Sequence, residues 1–139
     1  MPLGYTFAMI KPSACRKNHV GPILAMINQA GFRISAIRST QLTKEEAEVF
    51  YEMHRGKEFF DRLCTFMSSG PIIALLLEKE NAIEDFRKLI GNTNPEMAEE
   101  GTIRKMFAES LQKNAVHGSD TLENMKREAD FFFNQRERY

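Results

Sequence analysis

Six consecutive apolar residues, Ile72 to Leu77 (IIALLL), stand between the breaker Ser69-Gly70-Pro71 and the charged Glu78-Lys79-Glu80. A membrane-spanning helix needs about 20 apolar residues, so this run cannot cross a bilayer. It has the length and bulk of a β-strand buried on both faces, the centre of a sheet that helices must cover.

The flanking patterns supply those elements. Tyr5 to Ile10 is a short β-prone run stopped by Pro12. Ile23, Met26, Ile27 and Ala30 recur at helical spacing before Gly31, and Phe32, Ile34 and Ala36 alternate with Arg33 and Ser35 as in a half-buried strand. Thr43 and Glu46 have the spacing of a capping box, which opens a helix through about His54. Phe59, Phe60, Leu63, Phe66 and Met67 mark another helix. Asn81 is placed to cap a fourth, with Ile83, Phe86 and Ile90 inward and Gly91 at its end.

Asn92 to Gly101 reads as a loop, Thr102 to Ser110 as a short helical turn, and Ala115-Val116 as a brief strand. A last helix carries Leu122, Met125, Ala129, Phe132 and Phe133 on one face. The order β-α-β-α-α-β-α-β-α, without repeat or linker, describes one domain over residues 1–139, an α/β or α+β sandwich. With 42% apolar and 27% charged residues the chain has the balance of a globular protein. Nineteen basic residues against nineteen acidic ones leave no global charge for a nucleic-acid partner. Two isolated cysteines, Cys15 and Cys64, and a start without a basic leader point to a reduced, cytoplasmic protein with no membrane partner.

No glycine-rich phosphate loop of either common type is present, so any bound phosphate must be held by side chains. Lys11, Arg87, Arg104 and Lys113 lie at or near the ends of expected elements, where a single cation is ordinarily solvated. His117, in KNAVHGSD, admits three readings: a structural histidine, a metal ligand with only Asp120 nearby, or a nucleophile. A nucleophilic histidine needs a proton held on one ring nitrogen so that the other offers its lone pair. Glu128 lies at the edge of the apolar stripe of the last helix, where it can hold that proton with Ser119 bridging. The plainer alternative is that Ser119 or Asp120 is only a helix cap and Glu128 is solvated. Local spacing by itself favours this plainer reading.

The motifs TFAMIKP, FYEMHRGKEFFDRL, FMSSGPI, FRKLIGNTNP, GTIR and NAVHGSD, in this order from Thr6 to Phe133, resemble the nucleoside diphosphate kinase family, in its bacterial more than its animal form. The resemblance implies a ferredoxin-like fold, a four-stranded antiparallel sheet covered by helices. It also implies transfer of the terminal phosphoryl group from a nucleoside triphosphate, ATP being the expected donor, to a diphosphate. The route implied is ping-pong, through a phosphohistidine.

By the same resemblance His117 is the nucleophile, oriented by Glu128 with Ser119 in the network, and Tyr51 stands close by. Lys11 and Asn114 contact the sugar hydroxyl region, and Lys11 also helps the transferring phosphoryl. Arg87 and Thr93 hold the inner phosphates and Arg104 the terminal one. Phe59 stacks on the base and Leu111 closes its other face. Mg²⁺ is implied as the cofactor, bound through nucleotide phosphates rather than a protein cage, and a homo-oligomer, tetramer or hexamer, is implied as the assembly. Ser13, Lys79 (in the turn before Asn81) and Lys113 depart from residues usual in the family.

Overall fold

The computed structural model describes residues 3–139; Met1 and Pro2, where the segment read as lacking a leader begins, lie outside them. The strands are β1 (Leu3–Ile10), β2 (Arg33–Thr40), β3 (Ile72–Glu80) and β4 (Val116–Gly118). They form one sheet in the order β2-β3-β1-β4, and every pairing is antiparallel. The helices are α1 (Pro12–Arg16), α2 (Val20–Gln29), α3 (Lys44–Phe50), α4 (Phe60–Met67), α5 (Ala82–Ile90), α6 (Ile103–Phe107) and α7 (Leu122–Phe132).

β3 is buried on both faces, as its apolar run requires. Ile72, Ala74 and Leu76 pack with Phe7, Met9 and residues of α3, α4 and α7. Leu75 and Leu77 pack on the opposite face with Ala8, Ile10 and residues of α2, α5 and α6. Helices therefore cover the sheet on both sides, and the strand with no polar face lies inside it.

Local chemistry explains most of the boundaries. Thr43 accepts from the Glu46 backbone while Glu46 returns a bond to the Thr43 N–H, a complete capping box. Pro12, a strand-stopper in sequence terms, starts α1, which periodicity did not reveal: it sits where no backbone donor is needed. α2 ends before Gly31 and α5 before Gly91, whose φ values of 97° and 87° suit glycine.

Several expectations are corrected. α3 stops at Phe50 and continues only as a 3₁₀ turn, Glu52–His54, and Phe59 precedes α4 rather than lying within it. Asn81 does not cap α5 with its side chain; it adopts φ 54° and its amide donates to Glu84 and Asp85. The loop expected over 92–101 holds a short 3₁₀ turn, Pro95–Met97. In β2 the alternation breaks at a bulge between Ile34 and Ala36. Ser35 is consequently buried, Ile34 packs on one face and Ala36 on the other. Thr121, not Ser119 or Asp120, caps α7 by accepting from Asn124 N–H. Leu122, expected inward, is 56% exposed. Lys79 lies within β3 and pairs with Asp85, Lys113 sits over the Phe66 ring, and Ser13 is buried in α1.

Candidate active site

β4 is only three residues long, but its pairing fixes the central histidine: His117 stands opposite Met9 on β1. The chain enters β4 through a tight three-residue turn centred on Ala115, whose φ is 76°, with Val116 N–H donating to the Asn114 carbonyl at 2.9 Å. Ala115 was expected in the strand. A buried alanine in the left-handed region is strained, and Lys11 N–H, which donates to the Ala115 carbonyl at 2.8 Å, helps hold it there.

His117 Nε2 lies 2.9 Å from Glu128 Oε1, and the Ser119 hydroxyl donates to that same oxygen at 2.6 Å. The hydroxyl has one proton, so its 3.3 Å approach to the Phe7 carbonyl is a secondary contact. Glu128 is 4% exposed, an α7 residue drawn inward rather than solvated. Burial pushes its pKa up, but the bond to His117 and the Ser119 hydroxyl outweigh burial and hold it below the usual carboxylate value. An ionised Glu128 accepts, so Nε2 carries the proton and Nδ1 keeps its lone pair. Arg127 braces this pair, its Nη2 3.8 Å from Glu128 Oε2 and 3.1 Å from the Phe50 carbonyl; sequence reasoning missed it, although it adjoins Glu128.

Aromatic rings enclose the imidazole. Phe50 lies edge-on at 5.6 Å and Tyr51 edge-on at 6.3 Å between centroids. The Tyr51 hydroxyl is buried without a hydrogen-bond partner, and burial, then the charge of Glu128, raises its pKa. It is therefore a neutral phenol with an unused donor beside His117.

The cations form a second group. Arg104 is buried and donates to the Gly91 carbonyl at 3.0 Å and the Val116 carbonyl at 2.9 Å. It thereby ties α6 to the end of α5 and to the residue before His117. Burial, with Arg87 nearby, pushes its pKa down to about 10, so it remains cationic at neutral pH. Arg87, Thr93 and Arg104 line one cavity of about 180 Å³. Lys11, Phe59, Thr93 and Leu111 line a larger one of about 630 Å³, so Thr93 faces both. Phe59 and Leu111 are 40% and 61% exposed, apolar walls left open to a planar ligand. Asn114 is buried, with its amide donating to the Leu111 carbonyl at 3.0 Å and reaching the Thr93 carbonyl at 3.5 Å; its side-chain oxygen has no partner. His117, Tyr51 and Asn114 line neither cavity. Sequence reasoning also missed Arg62 and Gln112, which line the larger one. Arg62 follows Phe59 by three residues, the helical spacing that could have found it.

Lys11 is buried, and burial, then Arg104, pulls its pKa down to about 7. A lysine with a lowered folded-state pKa binds fewer protons in the folded than in the unfolded chain between about 7 and 10.5. Its penalty on stability is therefore full below pH 7 and fades as pH rises to 10.5. Lys11→Met is expected to raise Tm at pH 6 by at least about 4 °C, with a smaller gain at pH 9. A gain independent of pH, measured by thermal unfolding, would contradict this origin.

The site thus offers a histidine with one free ring nitrogen, cations around a small cavity and an apolar slot beside them. Such a set suits transfer of an anionic group carried by a planar ligand. Comparison with known proteins agrees. The family model described as nucleoside diphosphate kinase matches residues 4–138. A nucleoside diphosphate kinase of Flavobacterium psychrophilum is 52% identical over 139 residues, covering all of both chains. One of a Geobacter species is 53% identical over 132 residues, covering 95% of this chain and 96% of its own. The solved enzyme of Aquifex aeolicus superposes with a TM-score of 0.97 at 39% identity, covering 99% of this chain and 100% of its own. That of Halobacterium salinarum, solved in complex with CDP, gives 0.93 at 32% identity, covering 98% and 91%. By sequence over its full length and by fold, the chain belongs to the nucleoside diphosphate kinase family, enzymes that transfer a phosphoryl group between nucleotides through a phosphohistidine.

Proposed function

We propose that His117 is the residue that carries the phosphoryl group. The observation that supports this most directly is the 2.9 Å bond between His117 Nε2 and Glu128, which leaves Nδ1 as the nucleophile. The Nδ1 lone pair forms a bond to the terminal phosphorus of a nucleoside triphosphate, ATP as the cellular donor, and the bond to the bridging oxygen breaks. The leaving diphosphate takes that electron pair. Nε2 keeps its proton, held by Glu128, with Ser119 fixing the carboxylate. The second half-reaction runs the same displacement in reverse onto another diphosphate.

The remaining roles are those the family resemblance implies, and the placement and charge of the residues support them. Arg87 and Thr93 hold the inner phosphates and Arg104 the terminal one, with Lys11 neutralising the transferring group, since phosphoryl transfer gains most from positioned cations. Lys11 and Asn114, through its free side-chain oxygen, contact the sugar. Tyr51, its ring edge-on to His117, stands close to the phosphohistidine. Phe59 and Leu111 take the two faces of the base, a π-surface that all bases share. Mg²⁺ fits this donor set if the nucleotide carries it. The phosphate cavity is lined by cationic and neutral side chains, and among the described residues no group of three or more His, Cys, Asp or Glu is placed to hold a metal. When bound, the ion would neutralise oxygens of the inner and terminal phosphates.

We further propose that residues 1–139 act as one domain, that the protein is a homo-oligomer, tetramer or hexamer, and that it works in the cytoplasm. Two free cysteines are compatible with a reducing compartment, and no helix among the described residues is long and apolar enough to cross a membrane.

Incubation with ATP labelled at the terminal phosphate, followed by removal of nucleotide, is expected to leave acid-labile label on the protein. Addition of a second diphosphate should carry it away. Absence of label would overturn the assignment. Glu128→Ala is expected to lower kcat about 100-fold, because the imidazole loses its fixed tautomer, with nucleotide affinity within about twofold; an unchanged kcat would remove Glu128 from the mechanism.

A further inference from the structure

Stacking between Phe59 and Leu111 cannot tell one base from another, but the edges of the slot are not neutral. Apart from Lys11 and Thr93, assigned to the sugar and phosphates, the polar residues lining the cavity are Arg62, Ser110 and Gln112. Ser110 is engaged, its hydroxyl accepting from Lys113 N–H at 3.1 Å. The Gln112 amide both donates and accepts, so it selects little. Arg62 differs from both.

Its guanidinium forms no hydrogen bond or ion pair among the described residues. Asp61, its neighbour, is held by Lys44 at 2.7 Å. Glu58, four residues earlier, lies before α4 begins and does not reach Arg62. Arg62 itself is on α4, one turn beyond Phe59 and beside Leu63, and both of these line the same slot. A donor-only, permanently charged fork is thus left unneutralised at the edge of a base-stacking slot.

On the assignment of this slot to the base, we infer that Arg62 is a specificity-determining residue that favours 6-oxopurines over 6-aminopurines. Guanine and hypoxanthine present two adjacent acceptors, O6 and N7, which a guanidinium binds as a pair. Adenine replaces O6 with an amino donor that opposes it. Arg62 is solvent-exposed, so water competes and the discrimination is modest, about three- to tenfold in kcat/KM.

The test compares inosine diphosphate with ADP as acceptors from the phosphorylated protein, because these two differ only in the 6-substituent and the N1 proton that accompanies it, and share N7. The wild type should prefer inosine diphosphate by about three- to tenfold, and Arg62→Met, which keeps the stem and removes the donors, should bring the ratio near one. Arg62→Lys should keep only part of the preference, since an ammonium cannot form the paired contact. Equal kcat/KM for the two acceptors in the wild type, or a ratio unchanged in Arg62→Met, would overturn the role of Arg62 while leaving the phosphohistidine standing. Failure of the protein to take label at His117 would overturn both.

Discussion

Replacement of His117 by alanine is expected to abolish protein-bound label from ATP and to lower phosphoryl turnover by about four orders of magnitude or more, because no other side chain can form the covalent intermediate. Tyr51, whose hydroxyl has no partner and whose ring lies edge-on to the imidazole, is held neutral by burial and makes a poor substitute. Nucleotide affinity should persist, since the slot and the cationic cavity do not include His117. The variant should also differ in stability. In the wild type the lowered pKa of Glu128 contributes stability that is present above the unfolded-state pKa and lost as pH falls through the folded value. Without His117 burial dominates and the carboxyl is pushed up, so the variant should lose stability relative to wild type at neutral pH and regain part of it toward acid. Label retained on His117→Ala would place the acceptor elsewhere.

Gly91→Ala is expected to be severely damaging although it touches none of the reacting residues. A Cβ at Gly91 would lie 2.6 Å from Thr102 Oγ1 and 2.7 Å from Thr102 Cβ, with φ already at 87°. Thr102 cannot swing away freely, because it caps α6 by accepting from Lys105 N–H and also donates to the Glu99 carbonyl at 2.7 Å. The clash, the strained φ and the disturbed cap together predict a loss of about 3 kcal/mol or more. The Gly91 carbonyl is also one of the two anchors of Arg104, so kcat/KM should fall with stability. Denaturant titration and steady-state kinetics on the same preparation check both; a stable variant with normal kinetics would show that the α5–α6 junction does not position Arg104.

Much of the fold was legible because its signals are local. The apolar run of β3, the Thr43–Glu46 capping box and the terminal Gly91 each depend on chemistry within a few residues, and each stands where it was expected. Two of the misses have a long-range cause. The bulge that sends Ile34 and Ala36 to opposite faces is imposed by pairing with β3, and the turn at Ala115 is held by a bond from Lys11, over a hundred residues away. Leu122 has the spacing of a core residue, yet it lies in the exposed first turn of α7.

For the site, the sequence by itself determined the family, through ordered motifs that span nearly the chain, and with it which residues to expect there. It could not decide whether His117 was a helix cap's neighbour or a nucleophile, because periodicity reports which face a residue occupies and not which atom it meets. Only the tertiary structure decided that Glu128 turns inward to Nε2, that Arg104 is clamped between Gly91 and Val116, and that Lys11 is buried beside it. Glu128 and the anchors of Arg104 lie only 11 to 13 residues from their partners, while Lys11 comes to Arg104 from the far end of the chain. It is the distances in space, not the spacing in sequence, that leave one ring nitrogen of His117 outside the bond to Glu128.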